Sequence, residues 1–423
     1  MSNLFKKSPL FKNSLVYMTT EVVNKAVPFL LLPILTHYLS PRDYGLVATY
    51  GAFIGIVAVF LHLSMVGAVN INFFKMSKEK LKIYIANVMF ILFINLILML
   101  IGIYFFQDIL SIKTEIPSIW LFVGLIVTFS QFITLLNLGL WQVEQRPKPY
   151  GVYQISQMLV SIVIVLILVV GLGMGWEGQL IGQSIGTIVF ALLSFLYLYK
   201  REYLKFNYEN KYIKDALAFG IPLIPHVLSG WFRTGVDRIF LTMFISSSAT
   251  GIYAVGYQFG MVVGIIATAF NQAFSPYLYK KLVNITNDEK YTLVKYTYIY
   301  FVAIFVFAAL ISAFMPWIIT NFLDERYIAA KKFIPWVAFG FAFSGMYYMV
   351  VNYIFYEKKT YILSLITFFS GILHVLFSYT FIKVYGEMGV AYAMTLSSFI
   401  MFILVWVLSA RVYSMPWGLK ATD

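Results

Sequence analysis

The residues best placed to do chemistry are a few charges lodged inside apolar stretches. Glu21 and Lys25 stand four positions apart in the first stretch, and Arg233 and Asp237 repeat that spacing in the seventh, with Arg238 beside them. Four residues make about one helical turn, so each pair can meet on a helix face. An ionised group at mid-bilayer costs about 2.5–3.5 kcal/mol, so five facing lipid would cost roughly 12–18 kcal/mol, as much as the stability of a whole domain. They must face protein or water. His226, Gly230, Arg233 and Asp237 fall on one helical stripe, and Tyr17, Glu21, Asn24 with Lys25, and Pro28 on another. His226 is a candidate proton site because it shares a charged stripe.

One reading has each pair neutralising itself in a packed interface. The other puts both stripes on a wet central cavity. Arg238 leaves a surplus positive charge, and further polar stripes favour the cavity: Gln131, Thr134, Asn137 and Trp141; Tyr150, Gln154, Gln157 and Ser161; Tyr253 and Tyr257 with Asn271 and Gln272. A weakly cationic cavity rich in aromatic groups suits an anionic, sugar-bearing substrate, since Arg and Lys bind phosphate while Tyr and Trp stack on sugar faces. Pro28, Pro33, Gly220, Pro222 and Pro225 sit beside the charged stripes, where bent or discontinuous helices serve motion in transporters.

The elements that must position these residues are membrane helices. The chain has 423 residues, 61% hydrophobic and 12% charged, about half the charge of a soluble domain. At about 20 residues per span plus short loops, the length allows about 12 spans and leaves no room for a folded soluble domain. The expected spans are 14–39, 44–68, 83–106, 118–142, 150–172, 179–199, 216–245, 251–274, 293–320, 333–355, 361–383 and 389–411. The runs are too long and unalternating for barrel strands, so the spans are helices. Of the 31 Lys and Arg, 22 fall in alternate loops on one side and 6 on the other, with three inside spans. This bias places both termini in the cytoplasm and explains the net charge of +13 without a nucleic-acid partner. Lys6, Lys7 and Lys12 before the first apolar run suit a cytoplasmic start, with no cleavable signal visible.

The halves echo each other. Leu39-Ser40 followed by Tyr44-Gly45 reappears 206 positions later as Ile245-Ser246 followed by Thr250-Gly251. Glu144-Gln145-Arg146 matches Glu357-Lys358-Lys359, and Gly175-Trp176-Glu177-Gly178 matches Gly386-Glu387-Met388-Gly389. Six spans per half is an even number, so the repeats share an orientation and are related by a pseudo-twofold axis along the membrane normal. The expected lobes are residues 1–206 and 207–423.

Other chemistry is excluded or weak. There is no cysteine, hence no disulfide, thiolate metal site or cysteine nucleophile. Gly173-Met174-Gly175-Trp176-Glu177-Gly178 matches a dinucleotide fingerprint but follows a span instead of a strand, and no Gly-Lys dipeptide supplies a phosphate-binding loop. His37, His62, His226 and His374 show no metal-ligand spacing with carboxylates. No catalytic residue, cofactor or metal is expected.

The runs Pro33-Ile-Leu-Thr-His-Tyr-Leu-Ser-Pro-Arg-Asp-Tyr-Gly45, Gly220-Ile-Pro222-Leu-Ile-Pro225, Asp237-Arg238 and Gly251-Ile-Tyr-Ala-Val-Gly-Tyr257 carry a resemblance. The chain resembles the polysaccharide transporter family, the O-antigen and exopolysaccharide flippases of the multidrug/oligosaccharidyl-lipid/polysaccharide exporter superfamily. The resemblance implies two six-helix lobes forming a V around a central cavity, alternating access, and an ion gradient as drive. It implies transfer of an undecaprenyl-diphosphate-linked oligosaccharide from the cytoplasmic to the outer leaflet of the bacterial inner membrane. The expected partners are that substrate, membrane lipid, and a polysaccharide polymerase and chain-length proteins. By position, Lys25, Arg233 and Arg238 would hold the diphosphate sugar, with Tyr257 and Gln154 as cavity neighbours. Glu21 or Asp237 would take the coupling role, with His226 beside them. The lipid tail would stay in hydrocarbon while only the head crosses.

A multidrug antiporter of the same superfamily is the near rival, although it would favour acidic cavity residues for cationic drugs. A membrane polymerase or ligase would need a substantial outer loop, whereas the longest candidates, 107–117 and 321–332, offer only Asp108, Glu115, Asp324 and Glu325 as acids. A lipid II flippase and a non-transporting scaffold complete the alternatives.

Overall fold

Sixteen helices carry the chain in the computed structural model, which describes the backbone of residues 9–418; side chains are described from Val16 onward, except those of Met18, Glu21 and Lys25. They are α1 (Pro9–Leu30), α2 (Leu32–Tyr38), α3 (Pro41–His62), α4 (Met65–Lys75), α5 (Lys78–Thr114), α6 (Ser118–Val143), α7 (Pro147–Leu166) and α8 (Gly175–Lys200). There follow α9 (Asn210–Gly220), α10 (Ile224–Thr234), α11 (Val236–Phe244), α12 (Ser247–Leu282), α13 (Asn287–Phe322), α14 (Ile334–Tyr356), α15 (Thr360–Tyr385) and α16 (Met388–Val412). No strand occurs among the described residues. Among them, ten helical stretches are long and apolar enough to cross a membrane, and they correspond to ten of the twelve expected spans.

The other two expected spans, the first and the seventh, are helical but broken. Pro33 has no N–H to continue the ladder, and the first span divides at Leu31 into α1 and α2. The seventh, expected as one helix over 216–245, is instead α9, a tight turn at Ile221–Leu223 containing Pro222, then α10 and α11. Gly235 separates the last two: a Cβ there would strike the Trp231 indole, so only glycine admits this approach. Both broken spans open their respective halves and carry the charged pairs read from the sequence.

Helix starts follow local chemistry. Ser40 caps α3, accepting from the Asp43 N–H at 3.1 Å while the Asp43 carboxylate accepts from the Ser40 N–H at 2.9 Å, with Pro41 at the first helical position. Ser246, its counterpart in the second half, caps α12 by accepting from the Ala249 N–H at 3.1 Å. Thr286 and Glu289 form a second capping box at the start of α13.

The described chain packs as two compact units, 1–228 and 229–423. In the first, α6 is the central helix, 61% buried over its most apolar window, whereas α7 is only 11% buried and presents its apolar surface outward, as lipid-facing helices do. Phe132, Leu136 and Leu140 of α6 close on Leu61, Met65, Tyr84 and Leu180. In the second unit α14 packs on α12, α13 and α16. Gly256 and Gly260 of α12 let the helices approach closely: a Cβ would lie 2.6 Å from the Ala330 carbonyl oxygen at the first and 2.6 Å from Val337 at the second. Small residues four apart are the usual way for membrane helices to reach such contact.

Candidate functional site

Each unit gathers its polar groups differently. In the second unit, Asp237 at the start of α11 is 1% exposed. A lone buried carboxylate would be costly, and this one is surrounded by donors. Tyr253 of α12 donates to Oδ2 at 3.1 Å, Ser378 of α15 donates to Oδ1 at 2.7 Å, and His374 Nε2, also on α15, lies 3.2 Å from Oδ1. His374 is itself fully buried, and its Nδ1 sits 2.9 Å from the Ser397 hydroxyl of α16. Three helices therefore meet at one carboxylate, and α16 reaches it through His374.

The two arginines lie close by with different partners. Arg238 spreads its guanidinium over the Tyr257 ring, 4.7 Å from the centroid, and donates to the Thr234 carbonyl. Tyr257 packs in turn against Tyr253 and Phe341 at 5.9 and 5.6 Å between ring centroids. Arg233 is half-buried; its Nη1 points at the Met401 sulfur at 2.7 Å, and its buried Nε has no hydrogen-bond partner among the described residues. A thioether is a weak acceptor, so this guanidinium retains unused capacity for a phosphate or carboxylate.

The seventh-span stripe thus divides. Arg238 and Tyr257 come together, Asp237 turns to His374 instead of pairing with Arg233, and His226 is exposed. The reason is the interruption at Gly235, because an i,i+4 pairing presumes one continuous helix.

In the first unit, Gln154 of α7 is half-buried and accepts from the Asn24 amide of α1 at 3.1 Å. Tyr17 and Tyr150 meet edge to face at 4.8 Å. The side chains of Glu21 and Lys25 lie outside the described residues. Thr134, Asn137 and Trp141, read from the sequence as a cavity stripe, are instead buried inside the unit. Asn137 and Trp141 lie against Arg201, which donates to Asn137 at 3.4 Å, stacks over Trp141 at 5.7 Å and pairs with Glu144.

Sequence reasoning missed His374, Ser378 and Ser397. The available signal was Ser370, His374 and Ser378, three polar residues at helical spacing in an otherwise apolar span, which point toward a partner on another helix. Asp215 was missed as well; it accepts from Tyr84 at 2.8 Å and Asn72 at 3.2 Å inside the first unit.

The family model for polysaccharide biosynthesis proteins matches residues 10–282, well over half of the sequence. The chain belongs to this family. The Lsg locus protein 1 of Haemophilus influenzae is 27% identical over 380 residues, covering 86% of this chain and 90% of the relative. The capsular polysaccharide biosynthesis protein CapF of Staphylococcus aureus is 25% identical over 421 residues, covering 96% and 100%. Among solved structures, the lipid II flippase MurJ in an inward closed conformation superposes with a TM-score of 0.72 at 15% identity, over 95% of this chain and 87% of that one. An inward-facing multidrug resistance MATE transporter of the MOP superfamily gives 0.71 at 16% identity over 96% of both. This polysaccharide biosynthesis family member therefore has the fold of MOP-superfamily transporters and is a multi-pass membrane protein.

Proposed function

We propose that the protein is a flippase that moves an undecaprenyl-diphosphate-linked oligosaccharide repeat unit from the cytoplasmic to the outer leaflet of the bacterial cytoplasmic membrane. The observation that carries this reading is a polysaccharide-biosynthesis sequence family on the fold of a lipid II flippase. The physical problem is to carry a charged, hydrated head across hydrocarbon while the lipid tail stays where it is. In this reading the halves 1–206 and 207–423 are lobes that alternate access, and Lys25, Arg233 and Arg238 hold the diphosphate. Tyr257 and Gln154 contact the sugar, and Asp237 or Glu21, with His226, couples an ion gradient to the change of state. Arg233, half-buried with an unsatisfied Nε, has the donor capacity that role demands. A polymerase and chain-length proteins would receive the product outside.

The MATE-like fold favours a multidrug antiporter as a second reading. The surplus of positive charge among the five intramembrane ionised residues counts against cationic cargo.

Reconstitution into vesicles carrying a lipid-linked oligosaccharide tests the proposal. Leaflet exposure should rise with the protein and fall at least tenfold when Lys25, Arg233 and Arg238 are changed to Ala, the loss expected for charge-assisted phosphate contacts. Unchanged transfer in the triple variant would remove the assigned site. In the native cell, loss of a flippase leaves repeat units inside, whereas loss of a polymerase leaves single units displayed outside.

A further inference from the structure

Two cavities at one end of the first unit share a wall. The first, about 490 Å³, is ringed by charge: Lys78, Arg146, Lys200 and Arg201 with Glu144 and Glu202. The second, about 690 Å³, runs between α7 and α8 with Trp141 of α6 behind them, and Val152, Tyr153, Phe190, Leu193 and Tyr197 make its walls mainly apolar and aromatic. Arg146 and Arg201 border both cavities, and Lys148 joins them on the apolar side. A charged chamber thus adjoins a greasy one, with cations at the boundary. That is the outline of an amphiphile with an anionic head.

The charges are not spent on one another. Five cations line the two chambers against two carboxylates, and one of these, Glu202, is paired with Lys82 at 3.4 Å. Glu144 is held by Arg201. Arg146 stands 3.8 Å from Glu144, too far for a hydrogen bond, and Lys148 has no acid in reach among the described residues; both cations are exposed. Their donors are open to a phosphodiester. The apolar chamber is equally well built. Trp141, Tyr153 and Tyr197 pack edge to face at 5.2 to 6.1 Å between centroids, and the Tyr153 hydroxyl turns away to Ser194, which leaves ring carbon toward the cavity. Val152 and Leu193 are 67% and 38% exposed, so the chamber opens on the flank of the unit, where a membrane protein meets hydrocarbon.

We propose that the paired cavities bind one anionic glycerophospholipid of the surrounding membrane, its phosphodiester on Arg146 and Lys148, its polar head in the charged chamber and an acyl chain in the cleft between α7 and α8. The cations belong to the cation-rich loops, which the positive-inside bias sets against the anionic inner leaflet. A free phosphate would use only the boundary, whereas the adjoining apolar chamber calls for a chain on the same molecule. The cargo has a different place. Helical residues turn by about 100° each, which sets Val152 and Ser156 on the opposite side of α7 from Gln154, the residue bonded to α1 and assigned to the sugar. Lipid binding here does not depend on what the protein transports.

The test counts bound lipid. Full-length protein in detergent is titrated with dioleoyl phosphatidylglycerol or dioleoyl phosphatidylcholine and followed by native mass spectrometry. One phosphatidylglycerol should be retained about tenfold more tightly than phosphatidylcholine, and R146Q/K148Q should abolish that preference. S156W fills the apolar chamber without altering charge and should weaken phosphatidylglycerol by about tenfold, with L193W as a second way to fill it. Removing the same two charges from the matching turn of the second half with K358Q/K359Q should leave binding unchanged. Equal losses from both charge variants, or filled chambers that bind as before, would reduce the site to surface charge and overturn the proposal. Displacement by glycerol phosphate would overturn it in favour of a free phosphate, and displacement by an equimolar lipid-linked oligosaccharide in favour of the cargo.

Discussion

Glu144, at the end of α6, is gripped by three groups: Arg201, the Tyr203 hydroxyl, and Arg146 at 3.8 Å. The Arg201 and Glu144 side chains are 17% and 15% exposed, so the pair is largely shielded from solvent and salt. Removing one member of such a pair leaves its partner's charge uncovered, and Glu144→Gln should destabilise the protein by about 1–3 kcal/mol, read from unfolding in detergent micelles. The same cluster has a pH signature. Burial, and then the Glu144 carboxylate, push the Tyr203 phenol up to about 12. Its folded value exceeds the unfolded one of about 10, so its contribution to stability is complete below about pH 10 and is lost as pH rises through about 12. Tyr203→Phe should flatten the alkaline arm of the stability profile; an unchanged arm would place the titration elsewhere. At this scale, residue types were legible and partners were not. The acid, the arginines and the tyrosine all stand in the sequence, but Glu144 and Arg201 are separated by a whole helical hairpin, and no local spacing joins them.

At the scale of elements, caps and spans were legible because their causes are local. Ser40 and Ser246, matched across the halves in the sequence, prove to be the N-caps of α3 and α12. Each should cost about 1 kcal/mol when changed to Ala. The two residues lie in different units and share no partner, so the double variant should show the sum of the single effects within about 0.5 kcal/mol. A shortfall at Ser246 alone would mean that packing of α12 through Gly256 and Gly260, not its cap, fixes where that helix begins. What the sequence could not display was the consequence of a break. Arg233 and Asp237 have the spacing of a helical pair, yet the helix stops at Thr234 and resumes at Val236, and Asp237 is satisfied by α12 and α15 instead. The prolines announced bending in this span; the direction in which each side chain then turned depended on which distant helix offered a donor.

Across the whole molecule, the distribution of charge makes a claim about orientation that can be checked residue by residue. With 22 of 31 Lys and Arg in alternate loops, the positive-inside bias predicts that the segments around Asn207 and Glu357 face the cytoplasm, whereas the last turns of α5 around Asp108 and the segment around Glu325 face outward. All four residues are exposed, and the chain contains no cysteine, so single cysteines at these positions can be labelled against an empty background. None of the four substitutions alters a lysine or arginine, which leaves the charge bias under test intact. In intact cells stripped of any outer barrier, a membrane-impermeant maleimide should label Asp108→Cys and Glu325→Cys, and should reach Asn207→Cys and Glu357→Cys only after permeabilisation. Because the two halves each contain an even number of expected spans, the outcome is all or nothing: a repeat with six spans returns the chain to the side where it began, so the second half inherits the orientation of the first. Protection of Glu325→Cys from the outside together with Asn207→Cys would break that parity and, with it, the assignment of the broken seventh span as a full crossing. A complete reversal would keep the fold but put the cation-rich loops outside, and the direction proposed for the lipid-linked sugar would lose its basis.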